Sequence, residues 1–225
     1  MNFSYSNKYQ RIALVGCGYW GTIVAKTLLS LKFKNIIIYD QNLRYAKILK
    51  KKYSKLVIEK NLGKILKNKS IHNCFLITPP SKNYDLIKKF LKHKKNIFVE
   101  KPGTTKLNDL VKLRKLIKNT NLKFMLGYVY FYNDYINKIK EILNKKVLGK
   151  ILYLNFQRQN LGPIRNDVDV DYDLTSHDIS IIYKLFNKLP TLVSKKKYFF
   201  LKKNISDISN LHLKIGKIQI DISNS

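Results

Sequence analysis

Through the first half of the chain, short apolar runs alternate with segments in which apolar residues recur every three or four positions. The runs predict buried strands, and the three-to-four spacing predicts amphipathic helices between them. The apolar runs lie near residues 11–15, 35–40, 56–58, 74–78, 96–100 and 122–126. Near-continuous apolar strands separated by helices are typical of a parallel sheet covered on both faces. We therefore predict a doubly wound α/β domain over residues 8–127.

The pattern changes after Gly127. Between Lys150 and Arg158, apolar and polar residues alternate, which is typical of an antiparallel sheet with one face toward water. Further strands are predicted near 192–201, 207–215 and 217–223, and helices over 133–144 and 174–186. We predict a smaller α+β domain over residues 128–225 with an open, largely antiparallel sheet.

A glycine-rich segment joins the first predicted strand to the first predicted helix. Gly16 permits a tight turn, Gly18 lets the backbone approach a pyrophosphate, and Gly21 lets the helix pack close to the strand. The helix start offers N–H groups and a positive dipole end to phosphates. Asp40 follows the second strand, where an acid hydrogen-bonds a ribose hydroxyl. Glycines at this spacing also occur in ordinary turns, but the flanking strands and Asp40 favour dinucleotide binding.

Composition limits the class of protein. A chain of 225 residues with 45% hydrophobic and 12% aromatic residues is long and apolar enough to form a packed core. No apolar run is long enough to cross a bilayer, and residues 1–10 lack the apolar core of a signal peptide. Cys17 and Cys74 show no metal-binding spacing and indicate reduced thiols. We expect a cytoplasmic protein without a membrane segment or metal site.

The formal charge of +30 raises the question of nucleic-acid binding. The lysines are spread over nearly every predicted helix and are not gathered in one segment. In the helix predicted over 82–94, Ile87, Phe90 and Leu91 form an inward stripe, while lysines up to Lys95 occupy the other faces. We interpret the charge as a solvated lysine surface that can help to attract phosphorylated ligands, and we expect no nucleic-acid partner.

Acidic residues are scarce, and part of them cluster. Five of the 14 lie in one stretch, namely Asp167, Asp169, Asp171, Asp173 and Asp178. We expect the first four, which alternate, to share one side of an extended segment that leads into the next helix. In the alternative interpretation the segment is a solvated loop and Asp173 is the N-cap of that helix.

His177 lies four residues after Asp173, so a helix that begins here places both on neighbouring turns of one face. Leu174 and Ile181 share that side, which turns His177 inward. A histidine on such a face is often a satisfied core residue. A carboxylate one turn away can, however, hold its tautomer and stabilise its charged form, as a general base requires. We interpret the two residues as a candidate catalytic pair.

Glu100, Lys101 and Pro102 end a predicted parallel strand at the carboxyl edge of the sheet, where ligands bind in open α/β folds. Lys101 can donate to a substrate oxygen or relay its proton there. A surface lysine without a function is the alternative, and only the position of Lys101 argues against it.

Together, these residues resemble the Gfo/Idh/MocA family of nicotinamide-dependent sugar oxidoreductases. The similarity runs from about Lys8 to the last residue. Its motifs are Gly16-Cys17-Gly18-Tyr19-Trp20-Gly21, Thr78-Pro79-Pro80, Glu100-Lys101-Pro102, the segment 127–133 and Asp173-Leu174-Thr175-Ser176-His177-Asp178-Ile179. Residues 160–168, followed by the helix, are similar to family members that act on nucleotide-linked sugars, such as UDP-N-acetylglucosamine 3-dehydrogenases.

The resemblance implies a Rossmann domain that binds NAD, followed by a domain whose open sheet packs against a partner subunit in a homo-oligomer. The residues it implies for the cofactor are Gly16, Gly18, Tyr19, Trp20, Gly21, Asp40, Arg44, Thr78, Pro79, Glu100 and Lys101. Asp40 favours NAD over NADP, because a carboxylate repels a 2′-phosphate, and Arg44 softens that preference.

The same resemblance implies the catalytic residues. Lys101 and His177 form the acid/base pair, with Asp173 orienting or sharing the proton. The substrate contacts these three residues together with Asn133 and Arg165.

Three features depart from the family pattern. Tyr172 replaces a tryptophan, Asn83 takes the place of a histidine, and the chain ends at Ser225, before the second domain of the family is complete. We therefore expect an incomplete second domain with an open hydrophobic sheet edge. The predicted function is NAD-dependent oxidation of a sugar ring hydroxyl, with a nucleotide sugar as substrate, for polysaccharide synthesis. The alternative is a truncated homologue that binds NAD without turnover.

Overall fold

The structure, a computed structural model, describes residues 10–160 and 168–225. The chain divides into two compact units between Gly127 and Tyr128. Within the described ranges, the first unit contains a sheet of six strands and the second a sheet of four. No helix in these ranges has the length and apolar character needed to span a membrane.

The first unit alternates parallel strands with helices. Its strands are β1 (Arg11–Val15), β2 (Asn35–Tyr39), β3 (Val57–Ile58), β4 (Ile71–Leu76), β5 (Asn96–Val99) and β6 (Phe124–Leu126). Its helices are α1 (Tyr19–Ser30), α2 (Leu43–Lys52), α3 (Leu62–Lys67), α4 (Pro80–Lys92) and α5 (Leu107–Lys118). The strands are ordered β3-β2-β1-β4-β5-β6, and every neighbouring pair is parallel. The predicted doubly wound domain is confirmed.

Two apolar layers cover the two faces of this sheet. Because successive strand residues point to opposite faces, Ala13 of β1 packs in one layer with Phe90 of α4, and Leu14 packs in the other with Leu28 of α1. All four are buried, and burying a large apolar side chain contributes roughly 1.5–3 kcal/mol. The helices therefore occupy the faces of the sheet and leave the ends of its strands open to ligands.

Lys95 does not lie on the solvent face that the helix pattern predicts. Helix α4 ends at Lys92, and Lys94 adopts a positive φ of 55°, so the helical spacing no longer applies at Lys95. The side chain of Lys95 is buried and donates to the carbonyl oxygens of Asn68 (2.6 Å) and Ile71 (2.7 Å). Burial lowers the pKa of Lys95. This lysine closes the end of α3 against the start of β4.

The second unit contains one mixed sheet. Its elements are α6 (Asp134–Asn144), β7 (Tyr153–Arg158), α7 (Ser176–Phe186), β8 (Thr191–Tyr198), β9 (Ile208–Ile215) and β10 (Ile218–Asn224). The strands are ordered β7-β10-β9-β8. The pairs β8–β9 and β9–β10 are antiparallel, as predicted, but β7 runs parallel to β10. Alternation of apolar residues predicted the buried face of β7 and carries no information on its direction.

Helix α7 covers one face of this sheet. Gly216, with a φ of 59°, lies in the tight turn that joins β9 to β10. The turn sets the register in which Ile220 and Ile222 face Ile182 of α7 in a third apolar cluster. The smaller predicted domain therefore has the expected fold class. It differs from the prediction in one parallel strand pair, β7 with β10.

A buried polar network closes one end of this core. Nε of Arg158, on β7, lies 2.6 Å from the carboxylate of Asp178, on α7, whose side chain is almost fully buried. Asn224 of β10 donates to Asp178 (3.1 Å) and to the hydroxyl of Thr175 (2.9 Å). Burial raises the pKa of Asp178 in spite of its cationic partner. The network joins two strands at the centre and edge of the sheet to the covering helix.

We predict that Arg158→Met lowers the free energy of unfolding by about 3 kcal/mol, because the Asp178 carboxylate stays buried without its cation. Urea denaturation followed by circular dichroism measures this loss. Glu141→Ala is the matched control, because Glu141 makes its ion pairs with Lys138 and Lys145 at the surface. The control should leave the unfolding midpoint unchanged. An equally small effect of Arg158→Met would contradict the structural role of the buried pair.

Candidate active site

The predicted cofactor residues of the first unit lie at one edge of its sheet. Strand β2 leads to Asp40, β1 to the glycine segment, β4 to Thr78, and β5 to Glu100 and Lys101. Because these strands are parallel, all of these residues follow carboxyl ends at the same edge. The strand order reverses between β1 and β4, which makes the crevice between them the place where open α/β sheets bind ligands.

Two of the three motif glycines are required by the fold itself. Gly16 has a φ of 100°, and a Cβ there would overlap the carbonyl oxygen of Ile77. A Cβ on Gly21 would overlap the carbonyl oxygen of Gly16, so this glycine allows α1 to start directly against the turn. These contacts give Gly16 and Gly21 the structural roles that the sequence predicts.

Gly18 is different, because nothing in the described fold requires a glycine there. Its φ of −70° and ψ of −160° are extended values that other residues adopt, and a Cβ would meet no atom within 4 Å. The space that a side chain would fill is open and lies at the N-terminus of α1. A glycine in this position leaves a cradle for a ligand, as a dinucleotide pyrophosphate requires.

The first turn of α1 is suited to an anion. Neither a side-chain cap nor an acidic residue is present in that turn, so its N–H groups and its positive dipole end stay available. Tyr19 is 84% exposed and Trp20 is 40% exposed at this helix start. These two aromatic residues directly follow Gly18 in the chain.

Asp40 holds the glycine segment in place. Its carboxylate accepts the backbone N–H groups of Cys17 (2.7 Å) and Asn42 (2.8 Å), and further acceptor positions remain on its oxygens. Arg44 is exposed in the first turn of α2, where Asn42 is the N-cap. Burial, and then the charge of Asp40, raises the pKa of Cys17 to about 12, so this cysteine remains a neutral thiol at neutral pH.

The end of β4 carries a polar pair. Pro79 is the exposed N-cap of α4, and the buried Pro80 fills its first position, where a missing N–H costs nothing. The hydroxyl of Thr78 donates to Oδ1 of Asn83, 2.6 Å away. The sequence singles out Asn83 only as a departure from the family pattern, and its contact with Thr78 depends on side-chain directions that the pattern does not contain.

Glu100 joins the end of β5 to the first helix. Its carboxylate accepts hydrogen bonds from the indole of Trp20 and from the backbone N–H of Lys101. Burial raises the pKa of Glu100, and these donors oppose the rise. A Cβ on Gly127 would come within 2.9 Å of the same carboxylate, so the glycine that follows β6 leaves room for it. Lys101 follows directly and is half-buried.

In the second unit, Asp173 and His177 lie on one continuous helical segment. The π-helical turn Asp171–Thr175 precedes α7 and runs into it. The N–H of Asp173 donates to the carbonyl of Asp169 (3.1 Å), so Asp173 lies within the helical segment. Asp173 is therefore not the N-cap, and the acids do not alternate along an extended strand from Asp171 onward. Both expectations are wrong, because the helical segment begins at Asp171, three residues before the predicted start, and the spacing of the aspartates does not indicate this.

Tyr130, which lies in the motif segment 127–133 but has no predicted role there, packs against His177. The ring of Tyr130 meets the imidazole edge-on, with 5.1 Å between ring centres. Arg158 stacks over the same tyrosine ring (4.6 Å) and donates to its hydroxyl (3.1 Å). The network around Asp178 thereby extends to the neighbourhood of His177.

Most of the clustered acids in the described ranges form ion pairs. Asp169 pairs with Lys197 (2.6 Å), and Asp171 pairs with both Lys195 and Lys197. These lysines hold the pKa of Asp171 below its usual value although burial opposes this. Asp178 is the partner of Arg158, as described above. Asp169, Asp171 and Asp178 therefore act mainly as contacts between the helix and the sheet.

Of the two further residues predicted to contact the substrate, Asn133 and Arg165, the structure describes only the first. Oδ1 of Asn133 accepts the N–H groups of Tyr135 (2.9 Å) and Ile136 (3.2 Å), which makes Asn133 the N-cap of α6. Arg165 and Asp167 lie outside the described residues. Lys101 belongs to the first unit, whereas Asp173 and His177 belong to the second. Their convergence on one substrate stays a prediction.

Comparison with known proteins shows to which family this chain belongs. A family model described as an oxidoreductase family with an NAD-binding Rossmann fold matches residues 10–128. The scyllo-inositol 2-dehydrogenase (NAD(+)) of Bacillus subtilis is 27% identical over 135 residues, which are 58% of this chain and 40% of that protein. The 2,7-anhydro-N-acetylneuraminate hydratase of Escherichia coli is 24% identical over 148 residues, which are 64% of this chain and 38% of that protein.

A solved structure shows the same fold. The scyllo-inositol dehydrogenase from Lactobacillus casei, with bound NAD(H) and scyllo-inositol, has a TM-score of 0.82 at 17% identity, over 96% of this chain and 69% of that one. The chain spans about 40% of the length of the curated relatives named above and of an uncharacterised Streptococcus pneumoniae oxidoreductase. The family model, however, covers more than half of the present chain. The chain therefore belongs to the Gfo/Idh/MocA oxidoreductase family, whose model describes an NAD-binding Rossmann fold.

Proposed function

We propose that this protein binds NAD along the carboxyl edge of its first sheet and transfers hydride between NAD and a ring carbon of a sugar or cyclic polyol. The observation that carries the proposal is the order of the candidate residues along that edge. Asp40, the glycine segment, Thr78 and Lys101 follow β2, β1, β4 and β5, which are consecutive neighbours in the sheet.

This order matches the order of groups along a dinucleotide. An acid suited to a ribose comes first, then a cradle for a diphosphate, then a threonine hydroxyl, and finally a lysine suited to a substrate oxygen. With about 4.8 Å between neighbouring strands, the row extends over roughly 14 Å. In this proposal, the residues at the two ends of the row therefore contact different groups of one extended ligand.

The chemistry divides between coenzyme and protein. When bound at the edge described above, NAD⁺ would supply the acceptor for the hydride of the carbon that carries the hydroxyl. A base of the protein removes the hydroxyl proton, so that the carbinol becomes a carbonyl. In the proposal, Lys101 and His177 perform this proton transfer and Asp173 orients His177. Tyr130 supports the imidazole from the side, through the edge-on contact.

The substrate class that we propose is a nucleotide-linked sugar. One support is sequence similarity, because residues 160–168 and the following helix resemble family members that act on nucleotide-linked sugars. A second support is the formal charge of +30, which attracts phosphate groups. The names of the relatives point to inositols and to a sialic acid derivative. A substrate panel should therefore contain UDP-N-acetylglucosamine, scyllo-inositol and myo-inositol.

We predict that Gly18→Ala weakens NADH binding at least about tenfold, because the methyl group fills the diphosphate cradle. The only tryptophan, Trp20, lies at this site, so quenching of its fluorescence reports binding directly. The free energy of unfolding should change by less than about 1 kcal/mol, because the backbone of Gly18 suits an alanine and the weaker N-cap that alanine provides opposes its entropic gain.

Gly16→Ala is the matched comparison for this variant. Its positive φ and the carbonyl of Ile77 predict a loss of stability together with a loss of binding. Full NADH affinity in a folded Gly18→Ala protein would refute the proposed cofactor position.

We predict that NADH binds about tenfold more tightly than NADPH, because the carboxylate of Asp40 repels a 2′-phosphate. Titration of Trp20 fluorescence with both coenzymes measures the ratio. Asp40→Asn should reduce the preference, whereas Asp85→Asn, which removes an exposed carboxylate on α4, should leave it unchanged. Tighter binding of NADPH than of NADH to the unaltered protein would show the preference to be wrong.

We predict that Lys101→Met and His177→Ala each reduce turnover at least about a hundredfold, because general acid–base groups contribute rate factors of that size. NADH formation at 340 nm with the substrate panel measures turnover. Binding of NADH to His177→Ala should be unchanged, which separates catalysis from cofactor binding. NADH binding without turnover of any panel member would favour the alternative function, a homologue that binds NAD and does not catalyse.

A further inference from the structure

A polar pair, with Asn83 buried and Thr78 half-buried, occupies the start of α4, where an apolar pair is common. Thr78 precedes the N-cap Pro79 and Asn83 is the fourth residue of the helix, so they stand at the N′ and N4 positions. A hydrophobic contact between these positions often fixes the angle at which the chain enters a helix. Here the contact is a hydrogen bond of 2.6 Å between Oγ1 of Thr78 and Oδ1 of Asn83.

The length of this bond shows which group donates. A separation of 2.6 Å is typical of an O–H···O bond and is shorter than usual N–H···O bonds. The hydroxyl of Thr78 therefore donates to the amide oxygen of Asn83. Its single hydrogen is then committed, and Oγ1 of Thr78 has only lone pairs to offer to another partner.

The geometry of the helix does not explain the asparagine. Asn83 is fully buried, and its Nδ2 has no hydrogen-bond partner in the described ranges. Buried donors are nearly always paired, because an unpaired one destabilises the fold. Two apolar residues would hold the chain at the same angle without leaving a donor unpaired. What only a side-chain acceptor achieves is to fix the direction of the Thr78 hydroxyl.

The pair lies beside the candidate cofactor cradle. A Cβ on Gly16 would come within 3.4 Å of Cγ2 of Thr78, so the threonine borders the glycine turn. In the order of strands, Thr78 stands between the glycine segment after β1 and Lys101 after β5. In the proposed NAD site this is the place between the diphosphate and the reacting carbon.

We propose that Asn83 is a positioning residue that makes Oγ1 of Thr78 a hydrogen-bond acceptor for the nicotinamide riboside half of NAD. The donors of that half are its ribose hydroxyls and its carboxamide NH₂ group. The inference rests on the proposed NAD site and adds to it a contact that recognises one half of the coenzyme. The adenosine half lies toward Asp40 and does not depend on Asn83.

A double-mutant cycle in ligand binding tests this role. Dissociation constants for NADH, ADP-ribose and ADP are measured by quenching of Trp20 fluorescence in the unaltered protein, Asn83→Ala, Thr78→Val and the double variant. Each single change should weaken NADH about 3- to 10-fold, the size expected for one hydrogen bond. The double variant should bind no more weakly than Thr78→Val, because Asn83 acts through Thr78. Binding of ADP should change less than about twofold in all variants.

ADP-ribose identifies the donor group. A loss that ADP-ribose shares with NADH supports a ribose hydroxyl as the donor to Thr78. A loss confined to NADH supports the carboxamide. Equal losses for ADP and NADH, additive effects of the two substitutions, or unchanged NADH binding in Asn83→Ala would each overturn the proposal.

Two controls separate this role from a structural one. Asn73→Ala removes a half-buried asparagine near the opposite end of β4, where its amide pairs with Gln10 and Asn96, and should not change NADH binding. If Asn83→Ala does not fold, Thr78→Ser and Thr78→Val carry the test, because only serine keeps the hydroxyl. Equal affinities of these two variants would refute the role of Thr78. Failure of the unaltered protein to bind NADH would instead refute the proposed function.

Discussion

The carboxylate of Asp40 is the contact on which the arrangement of the first unit depends. It accepts the N–H groups of Cys17 and Asn42, so one side chain ties the loop after β1 to the loop after β2. A glycine-rich loop has much conformational freedom to lose and no bulky side chain with which to anchor itself. The tie supplies that anchor, and it holds the start of α1 and the open space beside Gly18 in a fixed position. In the proposed function the same carboxylate also faces the ribose, so loop position and coenzyme choice are linked through one residue.

Carboxylates act as such ties throughout a chain whose formal charge is +30. Glu100 joins β5 to the indole of Trp20, Asp178 joins α7 to Arg158 and Asn224, and Asp171 accepts two lysines of β8. The cations in excess are mostly lysines, and those exposed on helices and loops each contribute little to stability. Unlike surface acids such as Glu141, the acids Asp40, Glu100, Asp171 and Asp178 are placed at contacts between elements. Removing one of them therefore leaves an unpaired group inside the protein, whereas removing a surface lysine changes little.

Periodicity predicted most of the helices and strands, because the spacing of apolar residues directly reflects which face of an element is buried. It does not contain the direction of a strand, and β7 accordingly pairs parallel to a strand from the end of the chain. Periodicity also does not show where a helix ends. It therefore predicted an exposed Lys95, although this residue lies beyond the turn at Lys94 and is buried. The glycine segment and Asp40 could be predicted because that motif is local. The pairs Thr78–Asn83 and Tyr130–His177 could not, since each depends on side-chain directions across two elements.

The two glycines of one turn show how a structure can separate the needs of folding from the needs of binding. Gly16 is explained by the protein alone, through a positive φ and a carbonyl oxygen in the path of any side chain. Gly18 has a backbone conformation open to other residues and no atom near its missing Cβ. As the N-cap of α1, a glycine is favoured over an alanine, but the greater conformational entropy that glycine loses on folding offsets this preference. In the proposed function, the space that Gly18 leaves open receives the diphosphate of NAD, which suits the uncapped start of α1.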